Sequence, residues 1–140
     1  MNRPHPMSLS REFALQFLYQ CETEKVFYFS DSHFERFVVN FEVPGYCISH
    51  ARRLASGTLH DLDKIDKVIV SFSQNWGLNR MAATDRSMLR IATYELMSEE
   101  TPVKVILNEA IDLARKYGTD QSGAFVNGLL DRIAASLDRK

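Results

Sequence analysis

The side chains best suited to hold a metal or move a proton in this 140-residue chain are four histidines, His5, His33, His50 and His60. No two of them stand at i, i+4, and His50 and His60 are nearly three helical turns apart. Structural zinc needs a denser set of Cys and His, so these rings are expected to be solvated or packed in the core. Asp61, Asp63 and Asp66 form a small acidic cluster, but the Gly and distant Glu of a calcium loop do not follow. Asp63 as a helix N-cap, with Asp66 at the third helical position, is the expected use of that cluster. The six glycines are isolated, which excludes a glycine-rich phosphate loop, and there is no G-x-S-x-G nucleophile turn. Glu95 and Glu109 are the carboxylates a paired-acid enzyme would use. Each, however, suits an internal ion pair with Arg90 or Lys104. No catalytic residue, cofactor or metal is therefore expected. Arg90, Glu95 and Asn108-Glu109 interrupt apolar stripes. They are expected to form a buried polar network that sets how helices register, with a partner-binding surface as the competing use.

Almost everything that positions these residues is helical. Apolar side chains recur at i, i+3 and i+4, and strand-like alternation is nearly absent. Phe13, Ala14, Phe17, Leu18 and Cys21 make one stripe, with Ser10 as the expected N-cap. Residues 26–43 are rich in phenylalanine and read either as a short helix capped by Asp31 or Ser32, or as a loop packed on the core. Pro44-Gly45 punctuates the chain. Ile48, Ala51, Ala55, Leu59 and Leu62 then give a helical face, followed by Ile65, Val68, Ile69 and Phe72 behind Asp63. Trp76-Gly77-Leu78 ends that segment. Thr84 or Asp85 opens the next helix, with Met88, Leu89, Ile91, Ala92 and Leu96. Thr101-Pro102 reads as N-cap and first helical residue ahead of Val103, Ile106, Leu107, Ala110, Ile111 and Ala114. Gly118 is the expected stop. Phe125, Val126, Leu129, Leu130, Ile133 and Leu137 mark the last helix. The reading is an all-α fold of six to seven helices: residues 1–9 as a flexible N-terminal segment, and 10–140 as a single domain.

Composition fits a globular protein, with 45% apolar and 25% charged residues. Seventeen basic residues face eighteen acidic ones, so any nucleic-acid affinity must come from a local basic patch or a partner. No run approaches the roughly 18 apolar residues of a membrane span, and no export signal is visible, which implies a cytoplasmic protein without a membrane partner. Cys21 and Cys47 are then expected to be reduced and buried.

Three ordered motifs resemble the NusB family. The first runs from Asp85 through Leu89-Arg90-Ile91-Ala92 to Tyr94-Glu95-Leu96. The second is Pro102-Val103 followed by Val105-Ile106-Leu107-Asn108-Glu109-Ala110 and on to Tyr117-Gly118. The third is Ser122 with Phe125-Val126-Asn127-Gly128-Leu129-Leu130-Asp131. Arg11-Glu12-Phe13-Ala14 through Tyr19 is similar to that family's first helix, and Trp76, Leu78 and Arg80 resemble the segment before the main motif. The resemblance covers nearly the whole chain. It implies two three-helix sub-bundles and no catalysis. It also implies binding of single-stranded boxA-type RNA together with the small-subunit ribosomal protein NusE, within an RNA polymerase antitermination complex on ribosomal RNA operons.

Carried over by position, the resemblance assigns RNA binding to Arg3, Arg11, Arg115, Lys116, Tyr117, Gln121 and Phe125. Tyr117 and Phe125 offer ring faces on which bases can stack, against the plainer alternative of packing at helix ends. Tyr19, Asn79 and Asp85 are assigned to the protein partner, with Asp85 meeting basic groups. Its plainer role is a carboxylate at a helix N-terminus. Family members often carry several arginines directly before the Arg-Glu pair. This chain has Met7-Ser8-Leu9-Ser10 there, so RNA binding without the partner is expected to be weak. The alternative is an interaction module, a homodimer included, in which RNA binding is weak or lost; burial of Tyr117 and Phe125 would favour it.

Overall fold

A computed structural model describes residues 5–74, 76–98 and 101–139. Among them are seven α-helices and one 3-10 turn, and no strand. They fall into two compact units that divide between His60 and Asp61.

The first unit holds α1 (Pro6–Glu24), α2 (Asp31–Asn40) and α3 (Gly45–His60). Up to its last turn α1 is free of β-branched residues, which would crowd the preceding turn. It starts at Pro6 rather than after Ser10. The proline occupies the first helical turn, where no N–H is needed, and the His5 ring accepts from the Met7 N–H. Residues 6–9 are thus part of α1, four residues before the boundary drawn from the pattern. Ser10 is buried inside the helix, its hydroxyl turned to the carbonyls of Pro6 and Cys47. The cap of α2 is Ser30, one residue ahead of the expected Asp31, accepting from the His33 N–H at 3.3 Å. Residues before it form a loop from which Phe29 packs on Phe17 and Phe34. Phe17, fully buried, also meets the rings of His33, Phe34 and Phe37 at 5.0–5.3 Å, so aromatic packing makes this core. Cys21 and Cys47 are free and buried, and burial, with nearby Glu24, pushes the Cys21 thiol up to about 12.

The second unit holds α4 (Leu62–Phe72), the 3-10 turn (Leu78–Arg80), α5 (Ala83–Ser98), α6 (Val103–Tyr117) and α7 (Ser122–Ser136). The expected pair of three-helix bundles is thus three helices and four. The core is aliphatic: Ile65, Ile69, Leu89, Ile91, Ile106 and Leu130 are buried. Three boundaries differ from the pattern. Asp61, not Asp63, stands at the N-cap of α4, and its side chain makes no cap bond. Pro102 stands at the N-cap of α6, one residue after the expected Thr101. The helix carrying Asp85 opens at Ala83, which places Asp85 in its first turn. Asp66 does not cap: it takes a two-pronged bond from the Arg90 guanidinium at 2.8 and 3.0 Å, binding α4 to α5. At the far end of α5, Arg139 donates to the carbonyls of Glu95, Leu96 and Thr101, satisfying acceptors that a helix end leaves open.

Candidate nucleic-acid interface

The turn between α6 and α7 gathers most of the residues assigned to RNA. The Gly118 N–H closes α6 on the Ala114 carbonyl at 2.8 Å. Its backbone is extended rather than left-handed, so the demand for glycine comes from space. A methyl there would stand 2.7 Å from the Ala114 carbonyl oxygen and would collide with the Ser122 side chain. Ser122, at the start of α7, is the joint of the turn. Its hydroxyl accepts from the Thr119 N–H at 2.9 Å and donates to Asp85 Oδ2 at 3.1 Å. The first turn of α5 is thereby fixed to the α6–α7 turn.

From this frame Arg115 and Lys116 are exposed, Gln121 is exposed, and Tyr117 and Phe125 are half-buried. Neither ring is sealed in the core. The Lys116 ammonium lies 5.7 Å from the centre of the Tyr117 ring. The stem of Arg115 runs across Gly123, where any Cβ would come within 3.0–3.1 Å of it. Arg11 is different. It is only 1% exposed within α1, so its guanidinium cannot reach a phosphate as the structure stands. Arg3 lies outside the described residues.

Of the residues assigned to a protein partner, Tyr19 is 45% exposed on α1 and Asn79 is exposed on the 3-10 turn. Asp85 is 8% exposed, and burial raises its carboxyl above the ordinary carboxylate value, the Ser122 hydroxyl pulling the other way. A groove of about 450 Å³ opens beside it in the second unit. Its walls include Trp76, Arg80, Gln121, Phe125 and Arg132. Trp76, Arg80 and Arg132 were not among the residues assigned from the sequence. Trp76 and Arg80 had a signal, their likeness to the family segment before the main motif, though no role was drawn from it; for Arg132 there was none.

The histidines do not gather. His33 Nε2 stands 2.8 Å from Glu24 Oε1, and His50 Nδ1 is 3.3 Å from Arg53 on the same helix. Among the described residues no group of three or more His, Cys, Asp or Glu side chains could hold a metal. Among them, too, no helix is long and apolar enough to cross a membrane.

The NusB family model matches residues 8–135. The chain belongs to the NusB family. Relatives named transcription antitermination protein NusB include one from Anaeromyxobacter dehalogenans, 44% identical over 131 residues and covering 91% of this chain and 89% of its own. Another, from Desulfitobacterium hafniense, is 40% identical over 133 residues, covering 94% and 90%. Among solved structures, NusB from T. maritima shares 35% identity and superposes with a TM-score of 0.80 over 96% of this chain and 93% of its own. A NusB solved with NusE and dsRNA shares the fold at 21% identity, with a TM-score of 0.82 over 96% of this chain and 99% of that one. The all-helical fold and the family drawn from the motifs both stand.

Proposed function

We propose that this NusB-family chain is a transcription antitermination factor. It binds single-stranded boxA-type RNA together with the ribosomal protein NusE, and so enters an RNA polymerase antitermination complex on ribosomal RNA operons. The observation that carries the reading is the α6–α7 turn, where two partly buried rings, Tyr117 and Phe125, stand beside exposed Arg115, Lys116 and Gln121. Unstacked bases lie on such rings while cations take the phosphates. Relatives at 40–44% identity carry the antitermination name, and the same fold occurs in a complex with NusE, which supplies the partner to test. The protein acts without catalysis, in the cytoplasm, with residues 10–140 working as one domain.

Arg11 is buried and no arginine run precedes it, so phosphate contacts at the start of the chain are few. Partner-dependent binding follows. A pull-down with NusE, with and without boxA RNA, tests this: a cooperative ternary complex is expected. Capture of neither component would favour an interaction module that has lost RNA binding, a homodimer included. Neither ring is fully buried, which speaks against that second reading.

A further inference from the structure

The groove of the second unit has a wall that the RNA reading leaves unused: Ser73, Gln74, Trp76, Arg80 and Met81. Trp76, the one tryptophan of the chain, is 47% exposed on it. The ring does not sit on a loose loop. The Ser73 hydroxyl donates to the Trp76 carbonyl at 2.6 Å, and the Trp76 N–H donates to the Ser73 carbonyl at 3.1 Å. Arg86 reaches back from α5 and donates to the carbonyls of Leu78 and Met81 at 2.6 and 2.8 Å. Gln74 takes φ 58, a left-handed conformation that costs a residue with a Cβ and persists only where its surroundings impose it. Bonds from both sides therefore hold half of a large apolar ring in solvent.

The charges around the ring choose the ligand. Arg80 is exposed, and its side chain makes no hydrogen bond or ion pair among the described residues. Arg132 is exposed and commits one nitrogen to the Phe72 carbonyl at 3.3 Å, leaving most of its five N–H donors for another acceptor. Asp85 is the acid on the same groove, mostly buried and tied to Ser122, so an anion belongs at the arginines. Gln121 and Phe125 line the groove too, which makes it continuous with the proposed RNA surface.

We propose that the RNA track continues from the α6–α7 turn into this groove, with Trp76 as a platform for a base and Arg80 and Arg132 as phosphate contacts. The inference rests on the RNA reading above and extends it to a segment that reading does not use. A duplex keeps its bases stacked on one another, so the platform serves single strands.

Because Trp76 is the sole tryptophan, its emission reports on the site directly. Single-stranded boxA RNA carrying an end label is titrated at low salt, with and without a tryptophan-free form of NusE, following both label anisotropy and Trp76 emission. Emission is expected to change along the same isotherm as anisotropy and to stay unchanged with duplex RNA. Trp76→Ala should weaken binding roughly tenfold while helix content by circular dichroism holds. Removing Arg80 or Arg132 by substitution with Ala should flatten the log–log salt slope by about 0.7 each. RNA that saturates in anisotropy while Trp76 stays silent overturns the inference and leaves the RNA reading intact. So does an emission change with NusE alone that RNA does not extend, since a protein segment would then fill the groove. RNA that never saturates, with NusE present, overturns both.

Discussion

The first unit is held by rings and the second by aliphatic side chains, and the two use their polar groups differently. Around Phe17, four aromatic rings pack at 5.0–6.1 Å, one of them His33, which reaches Glu24, while the Arg52–Asp31 pair lies at the margin. In the second unit, beside the Arg90–Asp66 and Ser122–Asp85 bonds, several polar side chains go to the backbone of turns and helix ends. Arg86 holds the 3-10 turn, Ser73 holds Trp76, Ser122 holds Thr119, and Arg139 holds the end of α5. Such bonds add modest stability each, about 0.5–1.5 kcal/mol, but they fix loops that packing alone would leave free. The contrast teaches where a binding surface can be built. The first unit exposes apolar side chains such as Tyr28 and Val39, whereas the second exposes rings and cations on loops tied down beneath.

The sharpest way to break that contrast is at Phe17. Phe17→Ala should cost roughly 3–5 kcal/mol in urea or thermal unfolding, because the cavity left among rigid rings cannot close fully. With NusE saturating, the folded variant should still bind RNA, since the proposed RNA surface belongs to the second unit; a loss of NusE affinity alone would trace to Tyr19 on the same helix. A folded variant that has lost RNA binding would erase the division of labour.

Next in size is Gly118→Ala. Its methyl must displace Ser122 or the Ala114 carbonyl, a strain of about 1–3 kcal/mol by the usual cost of overpacking. Unlike Phe17→Ala, it should also weaken RNA binding, because Ser122 carries the bonds that set the turn presenting Tyr117 and Phe125. Thermal unfolding and RNA anisotropy on the same variant separate the two effects. Lost stability with intact RNA affinity would mean that the turn does not need its joint.

The smallest effect is at Asp85, and it has a definite sign. Burial raises its folded-state pKa, so its favourable contribution belongs to the protonated form. That contribution is present below the ordinary carboxylate pKa and is lost as pH rises through the raised folded value. Asp85→Asn should therefore raise the melting temperature modestly at pH 7. The gain should fade toward about pH 3, where the native carboxyl is protonated as well. The same substitution should weaken NusE binding if a basic group of the partner meets this carboxylate. A melting temperature lowered at pH 7 would show that its bond with Ser122 outweighs the cost of burial.

Helices and family were legible because apolar spacing and ordered motifs are properties of the chain itself. The second unit read best: Met88, Leu89, Ile91, Ala92, Leu96, Ile106, Ala110, Ala114, Val126, Leu129, Leu130 and Ile133 of its stripes are buried, with Val103, Leu107, Ile111 and Phe125 partly so. Caps shifted by one to five residues, to His5, Ser30, Asp61 and Pro102, since several polar residues compete for each helix start and tertiary contacts decide among them. Asp66 was read as a cap because its bonding partner, Arg90, is 24 residues away, beyond any local pattern. Arg11 was assigned to RNA by its position in a motif, and burial of the apolar stripe on α1 carried it inward. Trp76, Arg80 and Arg132 meet only through the fold of the second unit, so no spacing could announce their groove.

The central claim is that RNA binding resides on the second unit's turns and needs the protein partner. Fluorescence anisotropy of boxA RNA at several salt concentrations, with this chain alone and with saturating NusE, tests it most directly. The expected result is weak binding alone, with a shallow salt slope, and much tighter binding with NusE. Tight binding by the chain alone with a steep salt slope would contradict it.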